Sequence, residues 1–198
     1  MIPFIKQRLC AACLISSSVI LMGCITTAPL PDHERPQHWG SAINQPHNFY
    51  QVSTDIFRSE QPSTQLLPDL KKYNIKTIIN LRSRDEDQST FAGSSYHLVH
   101  IPIDTWSINR EDLLKVMREI QMAKQKNQSV LIHCYHGSDR TGASIAMYRI
   151  IFEHWSSKDA LNEMKYGGYG FHPIWINIEK IFQPDHIKWI REQLSNPS

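Results

Sequence analysis

The apolar residues of this chain fall into short runs that alternate with longer amphipathic stretches. SVLIH, ending at His133, reads as a buried strand, as does Thr77 to Leu81, and a further strand is predicted from His97 to Ile101. Two shorter strands are expected at Phe49 to Val52 and Ile56 to Arg58. Between them the pattern predicts a helix near Leu66 to Tyr73, with Pro68 tolerable only in its first turn, and another from Arg110 to Lys126 with Asn109 as N-cap. TGASIAMYRIIFEH, from Thr141, reads as an apolar helix, and further helices are expected over Lys158 to Lys165, Ile174 to Phe182 and His186 to Leu194. Strands alternating with helices imply an α/β class: a central mixed sheet of about 4–5 strands flanked by helices. No internal repeat is visible.

The first 47 residues do not fit that pattern. Lys6 and Arg8 precede an apolar stretch from Leu9 to Gly23 that is short for a membrane span of about 20 residues and fits a signal peptide better. It ends in Leu21-Met22-Gly23-Cys24, which resembles the lipobox of bacterial lipoproteins, where the cysteine is acylated and becomes the first mature residue. The organisation expected is a signal peptide over 1–23, a lipidated flexible tether over the proline-containing segment 24–47, and one domain over 48–198. That would make the protein an exported, membrane-anchored lipoprotein facing the periplasm. Ile25 after Cys24, rather than aspartate, points to the outer membrane by the lipoprotein sorting pattern. An uncleaved anchor helix is the competing reading, and it too places the domain outside the cytoplasm.

Charge and cysteine usage narrow the function classes. The chain has 21 basic and 19 acidic residues; without Lys6 and Arg8 the balance is 19 to 19, which argues against a nucleic-acid partner. Of the four cysteines, Cys10 and Cys13 lie in the signal and Cys24 would carry lipid, leaving Cys134 as the thiol of the domain. No cysteine and histidine spacing suggests a metal site: His97 and His100, three apart on a strand, would face opposite sides. No cofactor is expected.

The chemistry concentrates in HCYHGSDRTG, His133 to Gly142, where Cys134 and Arg140 bracket a short polar loop between strand and helix. Five intervening residues let the loop curl so that backbone N–H groups point inward at an anion. Arg140 can hold two phosphate oxygens, and the helix N-terminus adds a favourable field. Tyr135, His136, Gly137, Ser138 and Asp139 would supply the remaining cradle. The same donors favour a thiolate, which makes Cys134 the candidate nucleophile. Displacement from phosphate also needs a proton for the departing oxygen, and Asp104 is the candidate donor, on a loop leaving a strand expected beside that of Cys134. Asp139 competes for that role, but a second anion beside a phosphate fits a structural part better. His133 either orients the loop or is a satisfied core histidine. Arg58 and Arg82 either reach the pocket from strand ends or form surface ion pairs. Tyr166, Tyr169, Phe171 and Trp175 fit core packing better than a cleft wall, and Trp106 is read the same way.

The loop, with FRSEQP at Phe57 to Pro62, IKTIINLR at Ile75 to Arg82, IPIDTW at Ile101 to Trp106 and GGYGFHPIW at Gly167 to Trp175, resembles the cysteine-dependent phosphatases of the dual-specificity and tyrosine phosphatase superfamily, in particular small bacterial secreted members. The resemblance spans Asn48 to Leu194 and implies a single dual-specificity-phosphatase-like domain and a phosphocysteine intermediate. It also implies that Thr141 donates its hydroxyl to the leaving thiolate. Asp139 immediately before the arginine also occurs in some phosphoinositide phosphatases. The expected substrate is a phosphorylated protein or peptide, with a phosphoinositide as the alternative. A catalytically dead phosphate-binding module and a cysteine and histidine hydrolase are the remaining readings; the first must explain a full set of reactive residues, and the second has no use for Arg140.

Overall fold

The computed structural model describes residues 25–196, so the signal-like segment and Cys24 lie outside the described residues. Six strands form one sheet: β1 (Ser41–Asn44), β2 (Phe49–Gln51), β3 (Ile56–Ser59), β4 (Ile75–Asn80), β5 (His97–His100) and β6 (Ser129–His133). The order is β1-β2-β3-β6-β4-β5, antiparallel among the first three and parallel from β3 onward. The helices are α1 (Leu67–Lys72), α2 (Asp87–Thr90), α3 (Arg110–Gln125), α4 (Asp139–Phe152), α5 (Ser157–Tyr166), α6 (Ile176–Lys180) and α7 (Pro184–Ser195).

Strand alternation builds a core on each face. Val130 and Ile132 of β6 point with Ile56 and Ile79 toward α3, α4 and α7, whereas Leu131 joins Phe57, Leu66, Leu70 and Ile78 on the α1 side. The last strand is therefore apolar on both faces and lies between β3 and β4, the position that parallel pairing demands of it. Helix α4 is buried on every side from Thr141 to Ile151, because it sits between the sheet and the outer helices. Asn109 caps α3: its side chain accepts from Asp112 N at 3.1 Å while the Asp112 carboxylate accepts from Asn109 N at 3.3 Å.

Two expectations are corrected here. The mixed sheet stands as expected with one strand more, and it is the tether that is corrected: the segment expected to be flexible contributes β1, paired with β2 through Ser41 opposite Gln51 and Ala42 opposite Tyr50. Trp39 is buried, and Thr27 and Leu30 donate their N–H groups to Phe171 O and Tyr166 O at 2.7 and 2.9 Å, so residues from 27 onward are a strap laid on the domain. The strap is held by polar bonds that leave no hydrophobic pattern. Its anchor is Glu163, fully buried, which accepts from Gly40 N at 2.7 Å and from Arg149 Nε and Nη2 at 2.7 and 2.9 Å. The other correction concerns β5, which is separated from β6 by β4 and so does not neighbour the cysteine strand.

Removing one member of a buried ion pair strands the other. Glu163→Gln is expected to lower unfolding stability by about 3 kcal/mol, read from urea midpoints, with partial recovery when Arg149→Met is combined with Glu163→Met.

Candidate active site

Strand β6 delivers Cys134 to the C-terminal edge of the sheet, and the chain turns through Tyr135 to Ser138 into α4. Cys134 is a buried free thiol. The carbonyls of the turn are each held from outside it. Tyr135 O accepts from Gln61 N at 3.0 Å, His136 O from Asn48 Nδ2 at 2.8 Å, Gly137 O from Arg58 Nη2 at 2.6 Å, and Ser138 O from Gly142 N at 2.6 Å. The N–H groups of residues 135 to 141, by contrast, have no protein acceptor among the described residues. With its carbonyls drawn outward, the turn presents donors to its own centre, which is an anion-binding nest at the head of a 14-residue helix.

Gly137 makes this turn possible. Its φ is +69°, and a Cβ there would stand 2.3 Å from Ser59 O and 2.6 Å from Glu60 N. The loop is thus pressed against the end of β3.

Arg140 and the Asp104 loop are joined. Arg140 Nη1 donates to Leu81 O at 3.3 Å and to Ile103 O at 3.0 Å, while its Nε is buried without a protein partner. The guanidinium is thereby oriented by one edge, and the other is left for an anion. This contact draws the β5 exit loop across β4 to the cradle, placing Asp104 next to the carbonyl that Arg140 grips. Asp104 is exposed, and its side chain makes no hydrogen bond among the described residues, so it is not a turn cap. Thr141 Oγ1, by contrast, is buried at the start of α4, and it too has no hydrogen-bond partner among the described residues.

Asp139 is committed elsewhere. Its carboxylate accepts from His172 N at 2.9 Å and pairs with His172 Nδ1 at 2.8 Å, tying the start of α4 to the segment after α5. His133 is fully buried and its Nε2 donates to Asp87 Oδ2 at 2.8 Å, while Nδ1 lies 3.4 Å from Cys134 O. Burial works against ionised Asp87, yet hydrogen bonds from His133 and Gln61 outweigh it and hold its carboxyl below the usual carboxylate range.

The two supporting arginines differ. Arg82 is a rim residue, paired with Glu86 at 2.7 and 3.0 Å and with Gln61 at 2.8 Å, and 5.1 Å from the Tyr135 ring centroid. Arg58 is not a surface ion-pair partner: it is completely buried behind the turn, 3.7 Å from the Tyr169 ring centroid, with Nε and Nη1 unpartnered. Burial lowers its pKa from the ordinary arginine value, against the opposing pull of Tyr169, Glu163 and Cys134. Among the aromatics, Tyr169 and Phe171 are core residues as expected, but Trp106 is 68% exposed and packs into no core. Sequence reasoning missed Asn48, Gln61, Asp87 and His172. Gln61 lies within the FRSEQP segment, whereas Asp87 sits in a run of polar residues that carries no signal of burial.

A carboxyl with a depressed folded pKa stabilises the fold above its unfolded value of about 3.9 and ceases to do so as pH falls through the folded one. Asp87→Asn is therefore expected to destabilise the protein near neutral pH, with the difference from the native chain shrinking below about pH 4. Urea midpoints of both proteins across that range check it.

The dual specificity phosphatase catalytic domain model matches residues 56–178. Dual specificity protein phosphatase TpbA of Pseudomonas aeruginosa strain UCBPP-PA14 is 30% identical over 171 residues, covering 85% of this chain and 75% of that protein. A crystal structure of P. aeruginosa TpbA superposes with a TM-score of 0.74 at 28% identity, covering 81% of this chain and 98% of that one. A crystal structure of P. aeruginosa TpbA in complex with pTyr gives 0.75 at 27% identity, covering 82% and 99%. The chain belongs to the dual specificity phosphatase catalytic domain family.

Proposed function

We propose that this chain is a protein-tyrosine and dual-specificity phosphatase that works through a phosphocysteine, held at a membrane outside the cytoplasm by lipid on Cys24. The observation that carries the enzymatic reading is the turn after β6, whose carbonyls are all engaged from outside while seven consecutive N–H groups and the Arg140 fork are free to receive a phosphate. A pTyr complex of a similar protein supports the aryl substrate. So does the turn itself: Tyr135, His136, Gly137 and Ser138 include no lysine for a polyphosphorylated ring. The anchoring reading is supported by the Leu21-Met22-Gly23-Cys24 sequence alone.

In the first step Cys134 Sγ, as thiolate, attacks phosphorus and the P–O bond to the substrate breaks. The departing oxygen takes the Asp104 proton, and the backbone donors and Arg140 hold the charge on the remaining oxygens. In the second step water attacks phosphorus, Asp104 recovers a proton from it, and Sγ leaves as thiolate with the Thr141 hydroxyl donating to it. Inorganic phosphate departs and the enzyme returns to its starting state. His133, oriented by Asp87, positions the strand end that carries the nucleophile.

Cys134→Ser is expected to abolish turnover and the pre-steady-state burst with an aryl phosphate while retaining phosphate binding, since the cradle is unchanged and a serine hydroxyl stays protonated. Stopped-flow release of the aryl alcohol and phosphate competition check the two halves. Asp104→Asn should lower kcat/KM by about 10²–10⁴-fold for a poor leaving group and far less for a nitrophenolate, which departs without a proton. A series of aryl phosphates of graded leaving ability measures it.

A further inference from the structure

The strap brings the N-terminal end of the described chain to the edge of the cradle. Thr27 is bonded to Phe171, and Thr26 lines a cavity together with His136, Ser138 and His172. Cys24 stands three residues before Thr27 in the sequence. From Phe171 the chain continues past Asp139, to which His172 is bonded, and on to the Asp104 loop, where Asn177 Nδ2 donates to Thr105 O at 2.8 Å.

This same path carries the exposed apolar side chains. Of the large hydrophobic residues standing well exposed among the described residues, Ile25, Trp106, Ile174 and Ile176 lie along it at 65–79% exposure, and Tyr135 is on the cradle; Met122 of α3 is the one elsewhere. Scattered exposure is ordinary, but exposure gathered around one opening marks a surface that meets an apolar medium. A tryptophan with isoleucines is a composition suited to the boundary between headgroups and acyl chains.

We propose that the face bearing the active-site opening docks on a lipid bilayer, with Trp106, Ile174 and Ile176 as the inserting residues and the chain at Cys24 entering the membrane beside them. The inference rests on the anchoring reading above, and the bilayer is the occupant because Cys24, the residue that reading lipidates, directly precedes the strap. Lipid on one residue anchors the chain but leaves the orientation of the domain free, so a second apolar contact on the same face sets that orientation. The cradle then opens toward the lipid surface. Phosphate groups carried close to that surface reach Cys134, and those on freely diffusing proteins have to enter from the side.

The test uses the full chain purified from membranes with its native modification and reconstituted into phosphatidylcholine and phosphatidylglycerol vesicles. A phosphotyrosine peptide joined to a vesicle lipid by a short linker is expected to be hydrolysed about tenfold or more faster than the same peptide free in solution, by effective concentration. That preference should collapse when about 30 Gly and Ser residues are inserted between Ile25 and Thr26, and fall in an Ile174→Ser, Ile176→Ser variant. Brominated acyl chains should quench tryptophan emission, and Trp106→Phe should remove that quenching. Equal rates on tethered and free peptide, quenching unchanged by Trp106→Phe, or absence of fatty acid on Cys24 by mass spectrometry would each overturn the proposal. The quenching arm needs no turnover, so loss of hydrolysis in every format would count against the phosphatase reading while docking is still decided.

Discussion

The engagement of the carbonyl groups in the turn from Tyr135 to Ser138 is the constraint on which the rest of this structure depends. A peptide turn has donors and acceptors in equal number, and it attracts an anion only when its acceptors are occupied elsewhere. Arg58 of β3, Asn48 just before β2 and Gln61 just after β3 occupy them, and Gly142 does so from within α4. The central place of β6 serves the site from both sides: the β3 side brings the donors for the turn, and the end of β4 brings Leu81 O to Arg140. Arg58 also places a positive charge behind the turn, where desolvation is tolerated because Tyr169 lies across the guanidinium and Gly137 O accepts from it.

A second polar network holds the layer behind the cradle. Glu163 of α5 gathers Arg149 of α4, Gly40 of the strap and the Tyr169 hydroxyl, which is 3.2 Å away. Asp139 and His172 make a smaller clasp on the same side. These contacts fix the segment from Tyr169 to His172 against the head of α4, so the cradle is enclosed by parts of the chain that share no hydrophobic stripe. In a low-dielectric setting such networks specify one arrangement, because any other leaves buried charges without partners.

What was legible in the sequence follows from this division. Short apolar runs, the capped amphipathic stretch of α3 and the long apolar stretch of α4 carry their own signal, which is why β3 to β6, α3 and the long helix after Arg140 stand where the pattern puts them. Cys134 and Arg140 were legible because the chemistry fixes their spacing within one loop, whereas Thr141 was singled out by the family resemblance. Partners assembled across the chain were not: Asp87 is a buried carboxylate inside a polar run, and Glu163 lies on a helix whose apolar stripe says nothing of a buried acid. The strap was misread for the same reason. Pro29, Pro31 and Pro36 exclude a helix, and the bonds that hold the segment come from side chains more than a hundred residues away, such as Glu163, Arg149 and Tyr169.

The groups that shape the phosphate cradle are contributed by Asn48, Arg58, Gln61, Leu81, Ile103 and His172, positions spread over most of the domain. Such a site has a high contact order: its donors converge only after the last of these segments has docked. A chain emerging from synthesis would therefore carry Cys134 and Arg140 before it carried the assembled cradle, because His172, which clasps Asp139, follows both in the sequence. The cradle is thus a product of the finished tertiary structure rather than of the loop that bears its reactive residues.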